Sequence, residues 1–118
     1  MIPDRDKIAT LSIIELITLA DQLEAAGQKE SSLELYQEWI NLNDTPLRFI
    51  ANFNLGVLLT AHNEPERAME AYNRSLELNP DFMQARMNLG TLLEQSGQKD
   101  EALEQWRLAL LSREVEKP

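Results

Sequence analysis

Few residues in this chain are of the types that perform acid–base, nucleophilic or metal chemistry. His62 is the single histidine, and the chain contains no cysteine. A nucleophile needs a neighbouring base to activate it, and a lone histidine near a predicted helix end is better explained by packing or capping. Glu64, Glu66 and Glu70 lie close together, but carboxylates at this helical spacing usually form a solvated face. We therefore predict no catalytic, cofactor or metal site and expect that the protein is not an enzyme.

Two asparagines have equivalent neighbours in the sequence, and the chemistry of their side chains suits binding. Asn54 and Asn88 each precede a Leu-Gly pair and are 34 residues apart. A carboxamide carries both a donor and an acceptor, so it can hydrogen-bond a peptide backbone whatever side chains the peptide has. The alternative is that each asparagine bonds only a neighbouring helix. Which of these applies depends on the elements that position the two residues.

The sequence around the first asparagine repeats around the second. The pairs that coincide at an offset of 34 are Leu55 and Leu89, Gly56 and Gly90, Leu59 and Leu93, Ala68 and Ala102, Tyr72 and Trp106, and Leu76 and Leu110. A weaker third copy lies upstream at an offset of 36, with two extra residues at about 46–48. This internal similarity predicts a single domain over residues 1–118, with repeats at about 13–46, 49–82 and 83–116.

Each copy contains two segments whose apolar residues recur at helical spacing, and no segment alternates as a strand would. We predict six helices, at roughly 12–26, 30–43, 46–61, 64–78, 81–96 and 99–112. Gly27 and Gly97 stand where helices would end in the left-handed conformation. Asn63 is predicted to cap the start of the helix at 64–78, with Pro65 in its first turn. Gly56 and Gly90 lie inside helices, which indicates a close approach by another helix.

A helical hairpin of 34 residues with Leu-Gly, a further Leu and Ala-x-x-x-aromatic resembles the tetratricopeptide repeat. The middle copy supplies Leu55, Gly56, Leu59, Ala68, Tyr72 and Pro80, and the third supplies Leu89, Gly90, Leu93, Ala102 and Trp106. The resemblance implies an all-α solenoid of three helix-turn-helix hairpins in a right-handed superhelix. Trp39 stands where the later copies have Ser75 and Ala109, so we expect altered stacking of the first repeat on the second.

The sequence also resembles the repeat segment that precedes the catalytic region in bacterial glycosyltransferases similar to O-linked N-acetylglucosamine transferase. The stretches that carry this resemblance include LADQLEAAGQ from Leu19 and the long segment from Leu76 to Arg107. It implies a domain that presents protein substrates to a catalytic domain absent from this chain. None of the catalytic residues of such an enzyme would then lie in the sequence.

By the family resemblance, the first helix of each hairpin lines the concave side of the solenoid, and this side would bind a peptide or protein segment. The residues opposite the predicted core face are Ile14, Ile17, Thr18, Asp21 and Ala25 in the first hairpin, Ile50, Phe53, Asn54, Val57 and Ala61 in the second, and Gln84, Met87, Asn88, Thr91 and Gln95 in the third. They form a mixed apolar and uncharged polar stripe that suits an extended peptide. Members of the resembled glycosyltransferase group carry an asparagine ladder here.

The charge of the chain limits the class of partner. The formal net charge is −9, from 20 acidic and 11 basic residues, which disfavours nucleic acid and anionic membrane surfaces. No lysine lies on the predicted stripe, so a receptor for acidic peptide termini is not expected, and a neutral or basic protein segment is the better prediction. The chain begins without a signal-like or membrane-spanning apolar run, and we expect a cytoplasmic location.

The final predicted helix carries apolar residues where its counterpart is polar. Leu108 and Leu111 replace Arg74 and Glu77 of the middle copy. Exposed apolar surface of this kind often marks a contact, so we predict that further chain or a second copy in a homodimer covers these leucines; two isolated exposed leucines are the alternative. Three functions therefore remain open: a peptide-binding interaction module, a glycosyltransferase substrate-presenting domain, and a homo-oligomerisation unit.

Overall fold

The computed structural model describes the backbone of residues 1–116 and the side chains of residues 1–112. Within this part of the chain the structure is all α-helical. The helices are α1 (Arg5–Thr10), α2 (Ile13–Ala25), α3 (Lys29–Leu42), α4 (Arg48–Ala61), α5 (Pro65–Leu78), α6 (Met83–Gln95) and α7 (Lys99–Glu116). Helices α2 to α7 correspond to the six predicted helices, so the prediction of three helical hairpins is confirmed. Helix α1 was not predicted.

Local sequence signals explain where several helices begin and end. Ser12 and Glu15 form a capping box at the start of α2, since each side chain bonds the other residue's backbone N–H. Gly27 and Gly97 adopt positive φ angles of 75° and 85° after α2 and α6, as predicted. Asn63 was predicted as a helix N-cap, and this is wrong. It occupies the equivalent left-handed position after α4, with φ 59°, because asparagine tolerates this conformation better than most residues.

Small residues let the two helices of a hairpin approach closely. A Cβ atom on Gly56 would lie 2.7 Å from Tyr72 Cε1, and one on Gly90 would lie 2.6 Å from Trp106 Cδ1. Ala68 and Ala102 are fully buried in the facing helices. Glycine on one helix therefore makes room for an aromatic ring on the other, and this explains why a poor helix former occurs at both positions.

Aromatic side chains join the second hairpin to the third. Phe82, just before α6, lies with its ring centroid 5.2 Å from that of Phe49 and 4.9 Å from that of Phe53. Phe53 also packs against Tyr72, at 5.8 Å between centroids. These are the separations at which aromatic pairs attract one another, so the stacking of successive hairpins is built from apolar rings.

The N-terminal end of the solenoid is covered by α1 and the residues around it. Ile8 of α1 is fully buried, and the Trp39 indole N–H donates to the Leu11 carbonyl at 2.9 Å. At the equivalent position of the next hairpin, the Ser75 hydroxyl donates to the Phe49 carbonyl at 2.8 Å. The large Trp39 side chain thus reaches the additional N-terminal segment, which the later hairpins lack.

Two further properties bear on function. Among the described residues, none of the helices combines the length and apolar character needed to cross a membrane. The same residues contain no cluster of histidine, aspartate or glutamate side chains that could hold a metal ion.

Candidate functional site

A concave groove runs between α4 and α6, the first helices of the second and third hairpins. It contains a cavity of about 330 Å³. The lining residues are Val57, Thr60 and Ala61 of α4, Asn88, Thr91, Leu92 and Gln95 of α6, and Tyr72 at the floor. Five of them, Val57, Ala61, Asn88, Thr91 and Gln95, belong to the stripe predicted from the sequence. We call this set the concave groove.

Asn88 is held in the concave groove by the helix behind it. Its Nδ2 atom donates to the Tyr72 hydroxyl at 3.3 Å, and Tyr72 is 1% exposed. A tyrosine hydroxyl can both donate and accept, so either orientation of the amide keeps this bond and leaves the other amide atom for a ligand. The two interpretations of Asn88 are therefore compatible, because one side chain can bond its neighbouring helix and still contact a peptide.

Asn54, the second residue of the proposed ladder, has different surroundings. Its side chain is half-buried, it does not line the cavity, and it makes no side-chain hydrogen bond within the described part of the chain.

Tyr36 occupies the position in the first hairpin that corresponds to Tyr72, and it is 2% exposed. Burial, with a smaller contribution from the negative charge of Asp21, raises the pKa of Tyr36 above the usual tyrosine range. The phenol of Tyr36 therefore stays neutral over the ordinary pH range.

The hydroxyl groups of the concave groove are oriented by their own helices. Thr60 Oγ1 donates to the Gly56 carbonyl at 2.8 Å, and Thr91 Oγ1 donates to the Met87 carbonyl at 3.1 Å. Since each hydroxyl has a single proton, these bonds leave lone pairs directed to any ligand. The two threonines therefore present acceptors, and a segment rich in N–H donors would satisfy them.

The concave groove continues toward the turns between paired helices. A second cavity, of about 370 Å³, shares Thr60, Leu92 and Gln95 with the first. Its other lining residues are Asn63, Pro65, Glu66 and Ser96. The continuous surface gives room for more than one residue of an extended chain, and its outer part carries the negative charge of Glu66.

The structure places other residues of the predicted stripe elsewhere. Phe53 packs against Tyr72 and Phe82, so its ring lies at the junction between hairpins. Met87, 48% exposed, lines a separate cavity beside Trp106. Gln84, Thr18 and Asp21 are exposed and Ile50 is half-buried, and none of these four lines the cavity between α4 and α6. Thr18 Oγ1 donates to the Ile14 carbonyl at 2.8 Å, as the groove threonines do within their own helices.

Sequence reasoning missed three lining residues. Tyr72 was identified only as the aromatic residue of the repeat motif, and the structure shows that its hydroxyl also reaches the concave groove. Leu92 and Thr60 were not predicted to line it. Leu92 lies four residues after Asn88, and Thr60 lies three residues after Val57, so a wider stripe along each helix would have included them.

The predicted contact leucines of the last helix lie on the other side of the molecule. Leu108 is half-buried and Leu111 is 48% exposed. They line a small cavity of about 170 Å³ with Pro80, Asp81, Arg86 and Ser112. This surface adjoins the turn between α5 and α6. That further chain or a second copy covers it stays a prediction.

The residues first considered for chemistry have structural partners. His62 Nε2 lies 2.8 Å from Glu24 Oε1, which links the ends of α4 and α2. Glu64 and Glu70 each face an arginine on their own helix, Arg67 at 2.9 Å and Arg74 at 3.9 Å. These contacts agree with a packing histidine and a solvated acidic face.

The fold and the repeated packing define a tetratricopeptide-repeat solenoid. Residues 50–82 match one family model described as tetratricopeptide repeat, and residues 71–104 match another. Residues 50–104 therefore carry tetratricopeptide repeats, as predicted from the sequence.

Known proteins with similar sequence or structure support this class. The Photosystem I assembly protein Ycf3 of Rippkaea orientalis is 28% identical over 102 residues, which cover 74% of this chain and 59% of the relative. The uncharacterized protein ycf37 of Cyanophora paradoxa is 33% identical over 95 residues, 80% of this chain and 54% of that protein. The crystal structure of MamA superposes with a TM-score of 0.78 at 26% identity, covering 88% of this chain and 60% of MamA.

A repeat domain with a bound peptide has the same fold. The second tetratricopeptide-repeat domain of Spaghetti (RPAP3), bound to an HSP90 peptide, superposes with a TM-score of 0.71 at 18% identity, covering 83% of this chain and 89% of that domain. The chain spans about half the length of the curated relatives it matches. These similarities agree with a module that is not an enzyme, and they give no support to the glycosyltransferase alternative.

Proposed function

We propose that this chain is an adaptor module that binds an extended, neutral or basic segment of another protein in the concave groove. The observation that carries the proposal is the arrangement of Asn88, Thr60 and Thr91. Their hydrogen-bonding atoms are partly satisfied within the protein, and the remaining atoms face an open cavity. Val57, Ala61 and Leu92 give the same cavity apolar surface, which supplies affinity without selecting one side chain.

The spacing of the helices fits an extended ligand. Neighbouring helices pack about 8–10 Å apart, and an extended chain advances about 3.3 Å per residue. One polar position per hairpin therefore meets the backbone about every third residue. The two cavities joined through Thr60, Leu92 and Gln95 lie between the second and third hairpins and extend toward the helix ends, so they add room for the part of the ligand that crosses α4 and α6.

Electrostatics favour a neutral or basic segment. The formal charge of −9 repels acidic ligands, and Glu66 lies at the outer part of the concave groove. Arg86, the cation nearest to the predicted stripe, donates to the Pro80 carbonyl at 3.0 Å and to Gln105 Oε1 at 2.9 Å. Its guanidinium is thus engaged on the opposite side of α6, away from a bound carboxylate.

The similarity to an assembly protein suggests the kind of work such binding does. The relative named above is described as a photosystem I assembly protein, and its similarity extends over most of this chain. An adaptor of this kind holds a segment of a subunit and releases it without covalent chemistry. A cytoplasmic location stays part of the proposal.

The proposal is tested with linear peptides selected on the purified chain from a displayed random library. The affinity of the best peptide is then measured for the wild type, Asn88→Ala and the double variant Asn54→Ala/Asn88→Ala. Loss of one hydrogen bond is worth about 1 kcal/mol, so we expect Asn88→Ala to weaken binding about fivefold. Because Asn54 lies outside the cavity, its share of the double-variant loss is expected to be smaller.

Asn73→Ala is the matched control, because Asn73 is an exposed asparagine of α5 outside the concave groove. Thermal unfolding of each variant shows whether the fold is retained. If the folded double variant binds the peptide as tightly as Asn73→Ala does, the asparagines do not contact the ligand and the proposal fails.

A further inference from the structure

A second apolar surface lies at the C-terminal end of the solenoid, away from the concave groove. Met83, Met87, Trp106, Ala109 and Leu110 line a cavity of about 230 Å³ between α6 and α7. Leu103 lies on the same face of α7 and is 60% exposed, and Leu110 is 62% exposed. We call these six residues the end surface.

The preceding hairpin shows how such a surface is covered inside the solenoid. The residues of the middle hairpin 34 positions before the cavity lining are Phe49, Phe53, Tyr72, Ser75 and Leu76. Phe82 and α6 pack on them, with ring centroids within 5.2 Å. Leu76 is consequently 8% exposed, whereas its counterpart Leu110 is 62% exposed. Nothing in the described part of the chain covers the end surface.

The two ends of the solenoid differ in whether their apolar residues are covered. At the N-terminal end, α1 buries Ile8 completely, and the Trp39 indole bonds the Leu11 carbonyl. A second copy therefore cannot stack its N-terminal end on the end surface without displacing α1. Two copies can still meet end surface to end surface, because an isologous contact uses the same patch of each.

We propose that two copies of this chain form a dimer through their end surfaces, with the two α7 helices antiparallel about a two-fold axis. Leu103, Trp106, Arg107 and Leu110 follow each other at helical spacing on one stripe of α7. A two-fold axis that passes between Trp106 and Arg107 places Leu103 of one copy opposite Leu110 of the other. This follows because Leu103 and Leu110 are equally distant from the axis along α7. Each Leu103 then enters the cavity of the other copy.

Glu104 and Arg107, at one edge of the stripe, are also brought together by this symmetry. Glu104 and Arg107 are separated by three residues and pair within the chain at 2.7 Å. Both remain about half exposed, at 51% and 58%. The antiparallel arrangement brings the two Arg107 side chains side by side at the axis and places Glu104 of each copy next to Arg107 of the other. The contact thus has an apolar stripe with a cluster of two arginines flanked by two glutamates along one edge.

Sedimentation equilibrium of the full chain over a wide concentration range tests the dimer. We expect a monomer–dimer equilibrium without larger species, because the N-terminal end is closed. Leu103→Glu places a charge in the apolar contact and is expected to weaken dimerisation about tenfold or more. Ile14→Glu is the matched control, because Ile14 is 73% exposed and lies in α2, and it should leave the dimer unchanged.

Disulfide formation gives an independent measurement, because the chain contains no cysteine. Residue 107 lies beside the proposed axis, so Arg107→Cys should yield covalent dimers under mild oxidation. Asn73→Cys, 34 residues earlier at the equivalent exposed position of α5, should yield far fewer. The dimer is independent of peptide binding in the concave groove, so the two proposals can fail separately.

A chain that stays monomeric at the highest concentration would overturn the dimer. So would growth into longer polymers, which requires a contact between unlike ends. Equal dimerisation of folded Leu103→Glu and Ile14→Glu, or equal crosslinking of the two cysteine variants, would place any contact elsewhere, for example at Leu108 and Leu111.

Discussion

At the scale of single residues, the second and third hairpins are each fixed by a glycine that faces an aromatic ring. Gly56 faces Tyr72, which is 1% exposed, and Gly90 faces Trp106, which is half-buried. Tyr72 is enclosed by Phe53 and bonded to Asn88. The same ring therefore fills the hairpin core and supports a groove residue, which couples stability to the geometry of the site.

The glycine pair makes a testable comparison. Alanine in place of glycine gains about 1 kcal/mol of helix propensity, but overpacking a core costs about 1–3 kcal/mol. At Gly56 the new Cβ would lie 2.7 Å from a ring atom of the enclosed Tyr72, so Gly56→Ala should lower the free energy of unfolding. Trp106 lies at the open end and can shift, so Gly90→Ala should cost less, even though the new Cβ would overlap its indole.

Urea unfolding followed by circular dichroism measures the free energy of unfolding of both variants. A Gly90→Ala variant less stable than Gly56→Ala would contradict this account of the packing.

The residue scale also shows what the sequence leaves undetermined. Asn54 and Asn88 are equivalent in the repeat, yet only Asn88 lines the cavity. Their sequence motif is the same, so the sequence alone does not show which of them lies beside an open cavity. Likewise Met87 was predicted for the concave groove and lies at the end surface, because the third hairpin has no following repeat among the described residues to pack on it.

At the scale of helices, the sequence predicted α2 to α7 because long amphipathic segments and clear end signals agree. Helix α1 was missed because it has six residues and a single buried side chain, Ile8, too few for a periodic pattern. Asn63 was assigned to the wrong helix end because asparagine suits both an N-cap and a left-handed C-terminal position. Its alignment with Gly27 and Gly97 could have decided between the two.

The role of α1 as an end cover predicts a stability effect. Ile8 is 0% exposed, so Ile8→Ala should lower the free energy of unfolding by about 2–4 kcal/mol. Lys7→Ala, at an exposed position of the same helix, should change it little. Urea unfolding followed by circular dichroism measures the difference. An Ile8→Ala variant as stable as Lys7→Ala would mean that α1 does not stabilise the first hairpin.

At the scale of the whole molecule, three hairpins create a concave groove and two unlike ends. The chain extends over 42 × 33 × 20 Å, and its N-terminal end is covered by α1 while the end surface is open. The proposed binding and the proposed self-association use different surfaces, and a dimer through the end surfaces would leave both copies of the concave groove accessible. An adaptor with two such sites can hold two segments at once and gain avidity.

The central claim is that the concave groove between α4 and α6 binds an extended segment. The most direct measurement is the mapping of backbone amide chemical shifts by nuclear magnetic resonance as the library-selected peptide is added to the labelled chain. The account predicts that the largest changes occur at Val57, Thr60, Asn88, Thr91 and Gln95. Largest changes at α5 and the outer face of α7, with the concave groove unaffected, would contradict it.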